Sequence, residues 1–217
     1  MNLGNFEALY TAQQTRALDT CAIHDYQVPG TTLMSRAARA AFNCLLDAWP
    51  DPEHLQVLCG TGNNGGDGFL IADLACKRGI PVTVYQLGDA DKISGDALLA
   101  RNQALANGVE IQPFDGVLLS LGVVVDAMLG TGLGGNVREP YQDAIEAINR
   151  CAAPVLAVDI PSGLCSDTGQ VLGAAVVADL TVTFIGLKRG LFTLHAADHT
   201  GELKFTDLQV PPEIYCQ

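Results

Sequence analysis

Three short segments of the chain combine acidic, amide or hydroxyl side chains with glycine, and these residue types could carry out chemistry. The first reads Gly-Thr-Gly-Asn-Asn-Gly-Gly-Asp-Gly at residues 60–68, the second spans residues 126–136, and the third spans residues 159–164. Glycine allows a backbone to approach a ligand closely, and side-chain oxygens can bind a cation or exchange protons. The segments therefore predict a ligand site that is built from loops.

The first segment has two interpretations. Gly60, Gly62 and Gly65 match the G-x-G-x-x-G pattern, which predicts a dinucleotide at a helix N-terminus but also occurs in many strand-to-helix turns. No Lys-Ser or Lys-Thr pair follows the glycines, so the segment is not a P-loop. Asp67 and the two asparagines before it could hold a ligand, or could stabilise a helix N-terminus and a turn.

The second and third segments each begin with an aspartate that ends an apolar strand. Because parallel strands present their carboxyl ends at one edge of a sheet, we expect Asn64, Asp126 and Ser162 to lie together as oxygen donors. One carboxylate with neutral oxygens suits a monovalent cation such as K⁺ better than a divalent ion. Asp159 then remains beside the ligand as a candidate general acid or base.

The elements that must position these segments are predicted from hydrophobic periodicity. Helices are predicted over residues 11–27 and 31–49, before a region in which strands alternate with helices. The predicted strands are 55–59, 81–87, 109–111, 121–126, 154–159, 176–185, 191–193 and 203–205, and the predicted later helices are 67–78, 94–107 and 139–151. Strands that are apolar on both faces indicate a parallel sheet covered on both sides. We therefore predict a single α/β domain over residues 1–217, a three-layer αβα sandwich with a mostly parallel central sheet and two leading helices.

The composition narrows the range of functions. Twelve Lys and Arg residues against 24 Asp and Glu residues give a net charge of −12, which disfavours nucleic acids and anionic membrane surfaces as partners. No apolar run approaches the ~18 residues that a membrane span requires. The seven cysteines are odd in number and lack CxxC spacing, which indicates core thiols in a reducing compartment, so we expect a cytoplasmic protein.

Four sequence motifs extend over most of the chain. They are Asn-Asn-Gly-Gly-Asp-Gly at residues 63–68, Asp-Ala-Met-Leu-Gly-Thr-Gly at 126–132, Val-Asp-Ile-Pro-Ser-Gly at 158–163 and Thr-Phe-Ile-Gly-Leu-Lys at 183–188. In this order they resemble the NAD(P)HX epimerase family, the YjeF N-terminal domain type. The resemblance implies a Rossmann-like sandwich that interconverts the R and S epimers of NADHX and NADPHX, the damaged, hydrated forms of reduced nicotinamide cofactors.

The resemblance also implies a role for individual residues. One K⁺ per subunit would be bound by Asn64, Asp126 and Ser162. Asp159 is the candidate acid or base, and Lys188 is a second catalytic candidate, although a surface lysine is the simpler interpretation. The substrate-contacting residues implied by the resemblance are Asn63, Asn64, Gly65, Gly66, Asp67, Gly130, Thr131, Gly132, Leu133, Gly134, Gly135, Asn136 and Asp159.

Partners are implied in the same way, and two alternatives stay open. The resemblance implies a homodimer and coupling to an ATP- or ADP-dependent dehydratase specific for the S form, which many bacterial relatives carry as a C-terminal domain. A chain that ends at Gln217 is then expected to be a free-standing epimerase or an excised N-terminal domain. The alternatives are a Rossmann-type NAD(P)-binding oxidoreductase and a non-catalytic nucleotide-binding or scaffold protein, which should lack the acid at Asp159 or carry a basic face.

Overall fold

A computed structural model describes residues 8–216 of the chain. The helices are α1 (Ala12–His24), α2 (Gly30–Ala48), α3 (Asn63–Lys77), α4 (Gly95–Ala106) and α5 (Tyr141–Arg150). The strands are β1 (Leu9–Tyr10), β2 (Leu55–Cys59), β3 (Val82–Gln86), β4 (Glu110–Pro113), β5 (Val123–Ala127), β6 (Val155–Val158), β7 (Leu180–Phe184), β8 (Leu187–Lys188) and β9 (Glu202–Thr206). Short 3₁₀ turns cover Ala90–Lys92, Arg189–Phe192, Ala196–Asp198 and Pro212–Cys216.

The central sheet has seven strands in the order β4-β3-β2-β5-β6-β7-β9, and every neighbouring pair is parallel. The chain builds outward from β2 through β3 to β4, and then crosses to β5 on the other side of β2. Ligands of open α/β sheets bind beyond the carboxyl ends of the strands where the strand order reverses. The predicted α/β fold with a mostly parallel sheet is confirmed, and its topology directs attention to the ends of β2 and β5.

Helices cover both faces of the sheet, which explains why its strands are apolar throughout. Val123 and Val125 of β5 belong to a buried cluster that contains residues of α1 to α4. Val124 points the other way and packs with Ile145 and Ile148 of α5. The alternation follows from the two-residue period of a strand. None of the helices in residues 8–216 is both long and apolar enough to cross a membrane.

Helix α3 begins at Asn63, four residues before the predicted start. The backbone N–H groups in the first turn of a helix have no partner within the helix. In α3 the N-cap residue is Gly62, which has no side chain that could accept hydrogen bonds from them. The prediction failed here because glycine and asparagine are poor helix formers, and local propensity therefore favoured a turn. Tertiary packing overrides that propensity.

The glycines of α3 permit this packing. A Cβ atom on Gly65 would lie 2.0 Å from the carbonyl oxygen of Gly60, and one on Gly68 would lie 2.6 Å from Cβ of Ala127. Both glycines have a helical backbone rather than a positive φ. They therefore allow α3 to pack closely against the turn that precedes it and against β5. A side chain at either position would clash with these neighbours.

Two other predicted elements differ from the structure. The predicted strand at 191–193 is wrong, because residues Arg189–Phe192 form a 3₁₀ turn in which the N–H of Gly190 donates to the carbonyl of Ser166 at 2.7 Å. The strand predicted from residue 176 begins only at Leu180. A short parallel pair, β1 with β8, was not predicted and aligns Tyr10 with Lys188.

The packing of α3 predicts an unusual effect of alanine. In a helix interior, Gly→Ala is normally stabilising by ~1 kcal/mol, but at Gly65 the added Cβ would contact a backbone oxygen that cannot rotate away. We expect Gly65→Ala to lower the free energy of unfolding by about 1–3 kcal/mol, measured by urea denaturation. Gly132→Ala is the control, because nothing lies within 4 Å of its added Cβ. An unchanged or increased stability of Gly65→Ala would contradict this account.

Candidate active site

A cavity of about 570 Å³ opens at the carboxyl edge of the sheet, next to the ends of β2 and β5. Its walls come from α1, α2, the start of α3 and the loops that follow β5, β6 and β7. The charged residues that line it are Arg16, Asp19, Asp67, Asp96, Asp159 and Lys188. This is the crevice that the strand order predicts for a ligand.

Most of the predicted substrate-contacting residues line this cavity. Those that do are Asn63, Asn64, Asp67, Gly130, Thr131, Gly132, Leu133, Gly134 and Asp159. Gly65 and Gly66 lie behind the wall instead, where a Cβ on Gly66 would lie 2.7 Å from the Met34 side chain. Gly135 and Asn136 are also outside the lining, and Asn136 lies beside Gly173. Gly65 and Gly66 of α3 thus act through packing, and the second segment contributes residues 128–134 to the cavity.

Asp126 and Ser162 are joined by a buried hydrogen-bond network and do not themselves line the cavity, although Met128 and Leu129, which they contact, do. The Asp126 carboxylate accepts from Oγ of Ser162 at 2.6 Å, from the backbone N–H of Ser162 at 2.7 Å and from that of Met128 at 3.2 Å. Burial raises the pKa of Asp126 to about 6, and the three hydrogen bonds oppose that rise. The network ties the loop after β6 to the loop after β5.

The side-chain amide of Asn64 is buried and has no hydrogen-bond partner within residues 8–216, on either its oxygen or its nitrogen. It packs against Gly130, whose neighbour Leu129 donates its N–H to Oγ of Ser162 at 2.9 Å. A buried amide without a partner is costly, which favours a ligand at this point. The three oxygen donors predicted for K⁺ are thus gathered around one loop, from 128 to 130. In the described part of the chain, no group of three or more His, Cys, Asp or Glu residues could hold a metal ion.

Lys188 is buried rather than on the surface, so the simpler interpretation of this residue is wrong. Its side chain is 1% exposed and forms an ion pair with Asp159. The ammonium also donates to Oγ1 of Thr183 at 3.0 Å and to the carbonyl oxygen of Phe184 at 2.8 Å. All three donor positions of the ammonium are therefore used, which holds Lys188 and Asp159 in one geometry.

Asp159 itself and Ile185, which is close to the ion pair in sequence, both have a left-handed backbone. Asp159 has φ 68° and Ile185 has φ 60°. The left-handed conformation is tolerated by aspartate but is costly for a β-branched residue such as isoleucine. Such conformations persist where the surrounding contacts require them, and they concentrate at functional sites.

Helix α1 supplies a wall of the site that the sequence analysis missed. Arg16 and Asp19 both line the cavity, one helical turn apart. The helix is positioned at its start, where Thr11 forms a capping box and the N–H of Ala12 donates to Asp167 at 2.6 Å. In the sequence α1 has the pattern of an ordinary packing helix, and nothing local indicates which of its polar residues face a cavity.

The carboxyl groups of the cavity influence one another electrostatically. Burial raises the pKa of Asp19 to about 6, an effect that Asp159 increases and Lys188 opposes. Burial also raises the pKa of Asp67 well above its usual range, and Asp159 and Asp19 add to the rise. Asp19 and Asp67 therefore retain their protons to a higher pH than exposed carboxyl groups would.

The chain matches the family model described as YjeF-related protein N-terminus over residues 30–190. The chain belongs to this family. It is 47% identical over 196 residues to the bifunctional NAD(P)H-hydrate repair enzyme Nnr of Coxiella burnetii, which is 90% of this chain and 40% of that protein. It is 37% identical over 200 residues to the NAD(P)H-hydrate epimerase of Levilactobacillus brevis, covering 92% of this chain and 93% of that protein.

A solved structure has the same fold. The crystal structure of yeast ynu0, YNL200c, superposes with a TM-score of 0.81 over 95% of this chain and 91% of that chain, at 19% sequence identity. At this identity the likeness supports the fold alone. The chain spans less than half the length of the bifunctional relatives, 40% for the Coxiella burnetii protein and 34% for its Escherichia coli counterpart.

The matched part of this YjeF-related domain contains the residues predicted to bind K⁺ and the Lys188–Asp159 ion pair. Helix α1 precedes residue 30 and lies outside the match. Arg16 and Asp19 therefore belong to a part of the site that the family model does not describe.

We expect Lys188 and Asp159 to be strongly coupled in their contributions to stability, because their ion pair is buried. Removing one partner of a buried pair typically costs about 3–5 kcal/mol, because the other charge stays buried without compensation. We expect Asp159→Asn to be clearly destabilised, and Lys188→Met combined with Asp159→Asn to be more stable than Asp159→Asn by at least ~1 kcal/mol, measured by a double-mutant cycle in denaturant.

The control for this cycle is the exposed pair Arg150–Glu146, whose nitrogen and oxygen are 3.4 Å apart and whose side chains are 70% and 47% exposed. Its coupling should be no more than ~0.5 kcal/mol. Equal coupling energies for the two pairs would rule out a structural role for the buried one.

Proposed function

We propose that this chain is an epimerase that interconverts the R and S forms of NADHX and NADPHX. The observation that carries the proposal is the cavity in which Asp159, bound to the buried Lys188, faces the start of α3. Relatives that align with nearly the whole chain bear the name NAD(P)H-hydrate epimerase, in Levilactobacillus brevis and in Rhodopirellula baltica. The cavity volume is also in the usual range for a small-molecule site.

Local groups would hold the anionic substrate, because the net charge of −12 repels it. The start of α3 has no side-chain cap, and its free N–H groups together with the helix dipole favour a phosphate. Arg16 lies near the second loop, with its guanidinium donating to the carbonyl oxygen of Thr131 at 3.5 Å. These groups suit the phosphates of a dinucleotide, while the interior of the cavity suits its modified ring.

Asp159 is the proposed acid or base. Epimerisation requires the hydroxyl on the hydrated ring carbon to leave and to return on the other face, and both steps need a proton transfer. Lys188 contacts Asp159 directly and would hold that carboxyl group in a fixed orientation. The surrounding carboxylates would stabilise the positive charge that remains on the ring after the hydroxyl departs.

The residues predicted to hold K⁺ fit that ion. Asn64 has an unpaired amide oxygen, Asp126 supplies a carboxylate and Ser162 supplies a hydroxyl, and hard oxygen donors of low total charge suit a monovalent cation. When bound, K⁺ would supply a positive charge beside the start of α3, where the phosphates are expected. The role of K⁺ as a cofactor is part of the proposal.

The partner predictions belong to the same proposal. Bifunctional relatives bear the name of a repair enzyme, and the chain aligns with only 34% to 42% of the bacterial ones. Coupling to an S-specific dehydratase, fused or separate, and assembly as a homodimer therefore remain predictions, as does the cytoplasmic location. Close packing of Gly65 on Gly60 does not discriminate against the oxidoreductase alternative, because the third glycine of a dinucleotide-binding turn also serves packing.

A coupled assay tests the activity. Mixed R and S NADPHX is supplied with an S-specific dehydratase, and consumption of the R portion is followed with and without this protein. We expect the protein to accelerate it, and Asp159→Asn to lose about 10²–10⁴-fold in kcat because a positioned acid or base contributes that much.

Asp143→Asn, an exposed residue of α5 outside the cavity lining, is the control and should retain full activity. If the wild-type chain leaves the R portion untouched, the proposed activity is wrong. If Asp159→Asn stays active while folded, only the role of Asp159 is wrong.

Cation binding has a separate test, whose first readout is thermal stability and needs no substrate. A ligand that binds only the folded state stabilises it, so K⁺ should raise the unfolding temperature above that in choline at equal ionic strength. Asn64→Ala should abolish this difference and raise the K⁺ concentration for half-maximal activity at least about tenfold, equivalent to losing ~1.4 kcal/mol of binding. Asn63→Ala, which removes the neighbouring exposed amide, should keep the K⁺ response. Identical responses of the two variants would exclude Asn64 as a ligand.

A further inference from the structure

Asp19 is a carboxyl group of the cavity to which neither the family model nor the sequence motifs assign a role. It is half-buried on α1, and no hydrogen bond from residues 8–216 reaches its carboxylate. It lies close enough to Asp159 and Lys188 for their charges to act on it. An acidic group that faces a cavity without a structural partner is available to a ligand.

We propose that Asp19 is a second catalytic residue of this site, which gives a proton to the hydroxyl of the bound substrate so that it departs as water. The inference rests on the proposed epimerase function and adds a residue to it. Asp159, on a different wall of the cavity, accepts the proton of the water that returns. Asp19 comes from α1 and Asp159 from the loop after β6, so the two carboxyl groups reach the same cavity from different elements.

The proposed step balances without a further reactant. The C–O bond of the hydrated carbon breaks, its electron pair goes to the oxygen, and the proton of Asp19 completes a water molecule. A water then forms the new C–O bond on the opposite face and gives its extra proton to Asp159. The reverse reaction uses the same two groups with their roles exchanged, and nothing is oxidised or reduced.

The surroundings divide the two roles between the carboxyl groups. Asp159 forms the ion pair with Lys188 and also accepts from Oγ1 of Thr183 at 3.4 Å, so two donors already contact its carboxyl group. Asp19 has no such partner, and its burial raises its pKa to about 6. Roughly one molecule in ten then carries the proton on this group at pH 7, against about one in a thousand at the ordinary pKa. Unlike environments of this kind separate an acid from a base.

Two charged groups shift the pKa of Asp19, and Asp19 in turn shifts the pKa of two neighbouring groups. Lys188 and Asp159 act on it from the end of the sheet, and its own charge raises the pKa of Asp67 on α3. The phenol of Tyr215, near the end of the chain, also feels the charge of Asp19. Arg16 stands one turn earlier on the same helix. The protonated state therefore belongs to a coupled group of carboxyls in which Asp19 lacks a hydrogen-bond partner.

The test compares Asp19→Asn with the wild-type protein in the coupled assay. The wild-type kcat/KM is expected to fall above pH 6, because the acid form of Asp19 is consumed there. Asp19→Asn should lose at least ~100-fold in kcat with less than about a threefold change in KM, and its residual activity should no longer fall above pH 6. Asp19→Glu should recover part of the activity. Asp25→Asn, just after the same helix, is the matched control and should behave as wild type.

Stability separates a catalytic role from a structural one. The folded-state pKa of Asp19 is raised, so the folded state binds its proton more tightly and loses stability as the pH rises from 4 through 6. At pH 8 Asp19→Asn should therefore unfold at a temperature equal to or above that of wild type. An active Asp19→Asn, a loss confined to KM, or a wild-type profile without a fall above pH 6 would overturn the inference. A wild-type chain that does not epimerise would instead overturn the proposed function.

Discussion

The buried ion pair between Lys188 and Asp159 is the interaction on which the geometry of the site depends. An ammonium group with 1% exposure would cost several kcal/mol without compensation, and here a carboxylate, a hydroxyl and a carbonyl surround it. Bringing these groups together requires a left-handed backbone at Asp159 and Ile185, which costs conformational free energy at these two residues. A chain that kept the fold but lost the ion pair would have little reason to keep either conformation.

The same lysine connects the sheet edge to the wall formed by α1. Lys188 lies in β8, which pairs with β1 so that Tyr10 is aligned with it. Thr11 follows as the cap of α1, and the helix then presents Arg16 and Asp19 to the cavity. Eight residues thus separate Tyr10, at the end of β1, from Asp19, whose carboxyl group faces the cavity. A shift of the β1–β8 pair would therefore also displace α1 and its residues Arg16 and Asp19.

Polar groups in the site divide into those that are paired and those that are not. Asp126 and Ser162 satisfy each other and link two loops, which makes them part of the framework even before a cation is considered. Asn64 and Asp19 have no hydrogen-bond partner in the described part of the chain, although both are at least half-buried. Because folded proteins rarely leave buried polar groups unpaired, the unpaired ones indicate where a ligand belongs.

The sequence by itself determined the parallel α/β order and the strands whose ends carry Asn64, Asp126 and Asp159. Hydrophobic periodicity is a local property, and the carboxyl ends of parallel strands must share one edge, so these conclusions needed no coordinates. Tertiary structure alone decided that Lys188 is buried, that Gly65 serves packing, and that Asp19 faces the cavity. Burial and electrostatic coupling arise between residues far apart in the chain, as between positions 19 and 188, and no local pattern encodes which face of a helix meets a distant strand.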